Sequence, residues 1–233
     1  MLIFQKIKAV LILIQFVITV SLTIFFMWAF NNNHWYFRKK WASLQAFFIG
    51  YKLTIKGEPD PEAQMLLMNH QSLLDIVIME GKYPGNIAWV AKKEIAQMTF
   101  FGQIITLPKN IILDREDTRK SIVKLFKDVK ERLADNRVIG IFPEGTRGDG
   151  KKLLAFKPGA KLIAEKLDLK VQPAIVVNTR EIVDSQNFVA KKGHVTLIYL
   201  DAINPKEDKE WYEKLHIQMQ NILDEELKLL PKS

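Results

Sequence analysis

His70 and Asp75 are the two residues of this chain whose types and spacing most directly suggest chemistry. An imidazole placed two positions past an apolar run, with a carboxylate five residues on, can serve as a base whose tautomer the carboxylate fixes. On a straight helix, residues five apart point about 140° away from each other, so the histidine has to precede the helix rather than share it. Ser72 supplies that break. Ser-x-x-Asp over residues 72–75 is a capping box, which starts a helix at Ser72 and sets Asp75 in its first turn, facing back toward the loop. Spacing alone leaves a plainer reading open, in which Asp75 only caps the helix and His70 is only a loop residue.

A second polar loop runs Pro143-Glu144-Gly145-Thr146-Arg147-Gly148-Asp149-Gly150-Lys151. Its glycines let the backbone turn tightly and approach a ligand, Thr146 can donate a hydrogen bond, and Arg147 can grip a phosphate with two parallel bonds. An exposed basic turn is the alternative. Gly145 to Lys151 also copies the G-x-x-x-x-G-K part of a nucleotide phosphate loop, but Lys152 stands where a serine or threonine would hold magnesium. The only second nucleotide motif on offer, Ile111-Ile112-Leu113-Asp114, comes before that loop instead of after it, so nucleotide hydrolysis is not expected. Lys92, in Ala91-Lys92-Lys93-Glu94, and Arg115, in Leu113-Asp114-Arg115, stand at expected strand ends where a cation could bind an anion or simply be solvated. His34 lies in an aromatic stretch, and His194 and His216 lack partners at metal-ligand spacing, so no metal is expected. With Cys at 0, cysteine nucleophiles, iron–sulfur clusters and thiolate zinc sites are excluded, and the chain has no G-x-S-x-G elbow.

These loops need a frame, and the pattern after residue 50 supplies one. Short apolar runs alternate with periodic stretches, as in an α/β domain. Strands are expected over 51–56, 64–68, 87–91, 110–113, 137–142, 171–177 and 195–200, with a turn at Gly57-Glu58-Pro59-Asp60-Pro61. Helices are expected over 72–80, 117–135 and 158–167. In the second of these Ile122, Leu125, Phe126, Val129 and Leu133 share one face. In the tail from Lys206 to Leu230, a stripe of Trp211, Leu215, Met219, Ile222 and Leu230 is expected to pack on the domain. The chemistry-bearing residues then fall in loops at strand ends, where open α/β sheets place their sites.

Residues 9–30 contain no charge, and Gln15, Thr19, Ser21 and Thr23 are their only polar residues. As a helix this run would reach roughly 33 Å, enough for a hydrocarbon core of about 30 Å. It is longer than a signal-peptide core and leads into Asn31-Asn32-Asn33 with no small-residue cleavage site, so a retained membrane segment is expected, either spanning or dipping into one leaflet as a helix pair. Residues 34–51 are aromatic and basic. Trp28, Trp35, Tyr36 and Trp41 suit headgroup depth, and Arg38, Lys39 and Lys40 would meet acidic lipid there. Lys6 and Lys8 before the apolar run, set against Arg38, Lys39, Lys40 and Lys52 after it, favour the bulk of the chain lying on the cytoplasmic side, which for a bacterial chain would be the inner face of the inner (cytoplasmic) membrane. The expected division is a membrane or interfacial helical region over 1–50 and an α/β domain over 51–233. Thirty-four Lys and Arg against 26 Asp and Glu give a net charge of +8, which favours an anionic partner. At 48% hydrophobic and 26% charged residues, 233 residues can build a core, and a disordered chain is excluded.

Four ordered blocks resemble the lysophosphatidate acyltransferases, or 1-acyl-sn-glycerol-3-phosphate acyltransferases, of the glycerolipid acyltransferase superfamily. They are Asn69-His70-Gln71-Ser72 with Asp75; Lys92 and Glu94 with Phe100-Phe101-Gly102-Gln103 and Asn110 to Arg115; Phe142-Pro143-Glu144-Gly145-Thr146-Arg147; and Val171-Gln172-Pro173-Ala174. The resemblance covers about residues 50–205 and the membrane segment before them. It implies an α/β domain with a mixed sheet flanked by helices, and acyl transfer from a thioester to the sn-2 hydroxyl of lysophosphatidate in phospholipid biosynthesis. His70 would be the base and Asp75 its orienting carboxylate. Arg115 and Arg147, with Lys92, would hold the acceptor phosphate, while Glu144, Gly145 and Thr146 would position the glycerol or the loop itself. No cofactor is implied beyond acyl-CoA or acyl-carrier protein as co-substrate, and the partners would be membrane lipids, not nucleic acid. Two departures, Gly148 where serine is common and Gln172 where an apolar residue is common, bear on substrate preference. Gln71 favours lysophosphatidate over bare glycerol 3-phosphate. An enzyme acylating another lysolipid, or a non-catalytic lipid-phosphate binder, would carry the same cations.

Overall fold

The computed structural model describes residues 2–31, 33–114 and 118–230. Its strands are β1 (Tyr51–Lys56), β2 (Met65–Met68), β3 (Ile87–Lys92), β4 (Ile111–Leu113), β5 (Val138–Ile141), β6 (Val171–Val177), β7 (Val183–Asp184), β8 (Val189–Ala190) and β9 (Gly193–Tyr199). Seven of them form one sheet in the order β1-β9-β6-β2-β5-β3-β4, and β7 and β8 form a small separate ribbon. The five strands from β6 to β4 run parallel, β9 is antiparallel to β6, and β1 runs parallel to β9. The sheet is therefore mixed. Central β2 and β6 are buried at every position, which is why they read as continuous apolar runs.

The helices are α1 (Leu2–Ala29), α2 (His34–Ile49), α3 (Leu73–Lys82), α4 (Lys93–Ala96), α5 (Gln103–Thr106), α6 (Thr118–Ala134), α7 (Pro158–Leu167), α8 (Thr179–Ile182) and α9 (Trp211–Leu229). The two faces of the sheet follow from strand alternation. Met65 and Leu67 of β2 face a core built with Leu125 and Val129 of α6, Ile163 of α7, and Trp211, Leu215 and Met219 of α9. Leu66 and Met68 face the opposite core, with Val77 and Ile78 of α3 and Ala42 and Ile49 of α2. The expected tail stripe thus packs on the domain. Gly81 permits the approach of α2 to α3, since a Cβ there would stand 3.2 Å from the Ser43 nitrogen.

Helix α1 is longer than the apolar run and takes in Lys6 and Lys8. Its stretch Ile3–Ala29 is long and apolar enough to cross a membrane. The polar residues of that run do not face outward at random. Thr19 Oγ1 accepts from Gln15 Nε2 at 3.1 Å, Trp41 Nε1 at 3.0 Å and Gln45 Nε2 at 3.3 Å, so the polar stripe of α1 faces α2. Two interfacial expectations are corrected here. Arg38 is buried and ion-paired with Glu80 of α3, with a further bond to Asn86 Oδ1 at 2.8 Å, so it does not meet lipid. Trp41 turns inward as well, packing edge-on against Phe16 at 5.1 Å. Burial recurs at Arg38, Ala42, Gln45 and Ile49, which puts Arg38 on the inner stripe of α2 at helical spacing. Trp35, Tyr36 and Lys40 remain exposed, and Lys39 is half-buried.

Candidate active site

Three adjacent parallel strands, β6, β2 and β5, end side by side, and the loops leaving their carboxyl ends meet. From β2 comes Asn69-His70. Asn69 is fully buried and locked to the neighbouring strand, donating to Val176 O at 2.9 Å and accepting from Val176 N–H at 2.8 Å, so the chain leaves the sheet at a fixed angle. The capping box expected from sequence is present: Ser72 Oγ accepts from Leu74 N–H, and Asp75 accepts from Ser72 N–H at 2.9 Å.

One carboxylate makes both contacts that the sequence suggested for Asp75. Its Oδ2 caps the helix and also lies 2.8 Å from His70 Nδ1, while accepting from Gln71 N–H at 2.6 Å. Oδ1 accepts from the Thr179 hydroxyl. Asp75 is 0% exposed, so its charge is held by these donors and by the start of α3. A carboxylate can only accept here, so Nδ1 carries the proton, and in the neutral ring the Nε2 lone pair is the basic site. The ring is 12% exposed and stacks on Phe142 at 4.0 Å, which in turn stacks on Trp89 at 5.3 Å.

From β5 comes the Glu144 loop. Glu144 is 2% exposed; Oε1 accepts from His70 N–H at 2.7 Å and Oε2 from Leu154 N–H at 2.7 Å. Burial raises its pKa to about 7 against the pull of those two N–H groups. Of the two tasks the sequence left open for Glu144, its contacts match holding the loop. The loop is tied again by Gly148 N–H donating to His70 O at 2.8 Å. Gly145 and Gly150 sit at φ +68° and +83°, conformations that a glycine adopts without strain. Thr146 is exposed, and Arg147 donates from Nη1 to Ser185 Oγ at 3.1 Å.

From β6 comes a corner the sequence reading did not single out. Asn178, in the left-handed conformation at φ +71°, turns the chain so that Thr179 faces Asp75 and Arg180 faces the Glu144 loop. Arg180 Nη1 donates to Gly148 O at 2.6 Å. Arg147, Arg180 and Lys152, with Leu153 and Leu154, line an open cavity of about 560 Å³. Lys92 ends β3, two strands along from β2, and Arg115 lies outside the described residues. The two departures from the family blocks also find places. Gln172 is buried, accepting from Asp60 N–H at 2.8 Å and donating to Glu58 O at 2.9 Å, so it pins the turn before β2. A Cβ at Gly148 would stand 3.4 Å from Glu144 Oε2, an ordinary contact.

The family model described as Acyltransferase matches residues 53–177, which take in all four blocks and most of the sheet. A curated relative from Helicobacter pylori, named 1-acyl-sn-glycerol-3-phosphate acyltransferase, is 43% identical over 194 residues, covering 82% of this chain and 80% of its own. A Saccharomyces cerevisiae protein of the same name is 29% identical over 201 residues, covering 80% of this chain and 66% of its own. The crystal structure of the 1-acyl-sn-glycerophosphate (LPA) acyltransferase from Thermotoga maritima shares the fold, with a TM-score of 0.78 at 20% identity over 99% of both chains. From the matched domain and the extent of likeness to these relatives, the chain belongs to the 1-acyl-sn-glycerol-3-phosphate acyltransferase family.

Proposed function

We propose that this chain transfers a fatty acyl group from an acyl thioester to the sn-2 hydroxyl of lysophosphatidate, forming phosphatidate for phospholipid biosynthesis. The observation that carries the reading is the 2.8 Å contact of His70 Nδ1 with buried Asp75, which leaves Nε2 as a base; Gly148, bonded to His70 O, lines an open, cationic cleft. His70 Nε2 takes the hydroxyl proton as that oxygen attacks the thioester carbonyl. Asp75 stabilises the imidazolium, and collapse of the tetrahedral adduct breaks the C–S bond, the thiolate taking the proton back from Nε2. No acyl-enzyme is required. Arg147 holds the acceptor phosphate, with Arg180 and Lys152 on the same cavity; Lys92, at the end of β3, and Arg115, by the family likeness, are further cations for it. The donor is an acyl thioester of coenzyme A or acyl-carrier protein, used as co-substrate.

Residues 1–50 serve this reaction as its membrane element, and residues 51–233 as the acyltransferase domain. Contacts along α1 support a position along one leaflet rather than across the bilayer. Ala9, Val20, Ile24 and Met27 are buried against the rest of the chain, with Phe101, Ile104 and Leu107 packed on the last three, while Phe4, Leu11, Ile18, Phe25 and Trp28 are exposed. A helix held to the domain from residue 9 to residue 27 cannot cross a bilayer without drawing those segments in. The exposed face of α1 then meets acyl chains. Lys40, exposed beside Tyr36, meets acidic headgroups on the cytoplasmic face of the inner membrane.

The test is thiol release from a long-chain acyl thioester, offered on both CoA and carrier protein, by the purified chain in vesicles. Release is expected with lysophosphatidate and not with glycerol 3-phosphate. His70→Ala should lower it by about 10²–10⁴-fold with unchanged thermal unfolding. Release that survives in His70→Ala within a few-fold of wild type would sink the base assignment, and no release with either acceptor would turn the reading toward another lysolipid.

A further inference from the structure

Asp75 presents two oxygens to very different surroundings. Oδ2 takes three donors from its own segment: His70 Nδ1–H, Gln71 N–H and Ser72 N–H. Oδ1 is reached by a group 104 residues away in sequence, the hydroxyl of Thr179. Both residues are 0% exposed, so water does not substitute for either partner. The hydroxyl has one proton and faces two acceptors, Asp75 Oδ1 and, at 3.4 Å, Gln71 Oε1. The closer and charged carboxylate takes it.

The same corner is fastened to α3 a second time, where Ser72 Oγ donates to Val183 O at 2.6 Å. The segment after β6, at the first residue of α8 and the first of β7, is therefore joined to the start of α3 by two hydrogen bonds, one of them on the carboxylate that orients His70. A carboxylate held through one oxygen alone can swing about its Cβ–Cγ bond and slide along the imidazole. Held through both, its plane is fixed, and the direction of Nε2 with it.

We infer, on the acyl-transfer reading above, that Thr179 is a positioning residue for that reaction, acting through Asp75 to aim His70 at the acceptor hydroxyl. It touches no substrate, so its removal should act on turnover and not on binding.

Two substitutions separate the hydroxyl from the methyl. Thr179→Val keeps the shape and loses the donor; Thr179→Ser keeps the donor and loses the methyl. Measured as initial rates of thiol release with lysophosphatidate, Thr179→Val should lower kcat about 10- to 100-fold, with KM for acceptor and donor within about twofold of wild type. Thr179→Ser should stay within about threefold of wild type. A Thr179→Val enzyme with wild-type kcat, a Thr179→Ser enzyme as slow as Thr179→Val, or a loss carried by KM would each overturn the assignment. Thermal unfolding is followed in parallel. Should the valine variant not fold, Thr179→Ala and Thr179→Ser, which both lack the methyl and differ only in the hydroxyl, make the same comparison. Activity that is present in wild type, absent in His70→Ala and unaltered in Thr179→Val sinks this inference alone, whereas activity retained in His70→Ala sinks the acyl-transfer mechanism beneath it.

Discussion

The two ends of the parallel strands both bury charge, but in different company. At the carboxyl ends of β2 and β5 the buried groups are carboxylates: Glu144 accepts from two backbone N–H groups, and Asp75 from two backbone N–H groups, His70 and the Thr179 hydroxyl. At the amino ends of β3, β4 and β5 two arginines are buried, one of them against a buried glutamate. Arg137 donates to Pro108 O at 2.6 Å and Ile87 O at 2.8 Å, and Arg38 pairs with Glu80. Helix direction explains the split. A helix that follows a parallel strand points its positive N-terminus at the carboxyl edge, as α3 does beside Asp75, and one that leads into the next strand leaves its negative C-terminus at the amino edge, as α6 does just before Arg137. Among the described residues, only the carboxyl edge pairs a buried carboxylate with a partly exposed imidazole. Burial of charge is common to both ends, so it does not mark a site by itself; the exposed atom of the last partner does.

The comparison breaks most sharply at Arg137. If the amino edge is a staple, Arg137→Met should unfold easily while the folded fraction retains full specific activity. Pro108 O and Ile87 O would lose the guanidinium, and Asn110 Oδ1 would keep only Trp89 N–H, at a cost of about 3 kcal/mol. For a chain of this size that is roughly 6–12 °C in thermal midpoint, readable by differential scanning fluorimetry in detergent. A fall in kcat per folded molecule, with the midpoint unmoved, would make this edge functional and erase the contrast.

Glu144 sharpens it next, because its contribution depends on pH. Its folded pKa is raised above the usual glutamate value, to about 7, chiefly by burial. Between about pH 4.5 and pH 7 the folded state holds a proton that the unfolded chain has released, so stability is fully present below that window and falls as pH rises through it. The wild type should therefore lose on the order of 1–3 kcal/mol between pH 5 and pH 8 from this group. Glu144→Gln, less stable overall because its NH2 faces a backbone donor, should lack that part of the slope. Parallel slopes for the two proteins in denaturant titrations at each pH would show that Glu144 is ionised throughout.

How much of this was legible in the sequence depends on chain distance. His70, Ser72 and Asp75 lie within one loop and helix turn, so spacing and cap chemistry were enough to place the imidazole before the helix and the carboxylate facing it. Strands β2 and β6 and helix α7 were legible for a related reason, as uniform apolar runs and a regular period. Thr179 was not, because its meeting with Asp75 depends on β6 lying beside β2, which no local pattern encodes. Arg38 misled for the opposite reason. In a run with Lys39, Lys40 and aromatic residues it reads as an interfacial cation, and only the partner 42 residues away on α3 reveals that it faces inward. The short elements α4, α5, α8, β7 and β8 have two to four residues each, too few for a period to show.

The smallest expected effect tests what the carboxyl edge adds beyond its base. Arg147 is only half-buried, and its one hydrogen bond among the described residues goes to the Ser185 hydroxyl, so removing it costs the fold little. The cation is then free to serve an incoming anion, as Arg137, bonded on four sides to carbonyl and amide oxygens, is not. Arg147→Ala should raise KM for lysophosphatidate about 10-fold, roughly 1.4 kcal/mol, with kcat and KM for the thioester little changed. Arg147→Lys, which keeps the charge but not the planar fork, should fall between the two. A loss confined to kcat would place Arg147 on the developing oxyanion instead of the phosphate, while an equal rise in KM for a lysolipid without phosphate would show that the loop had moved.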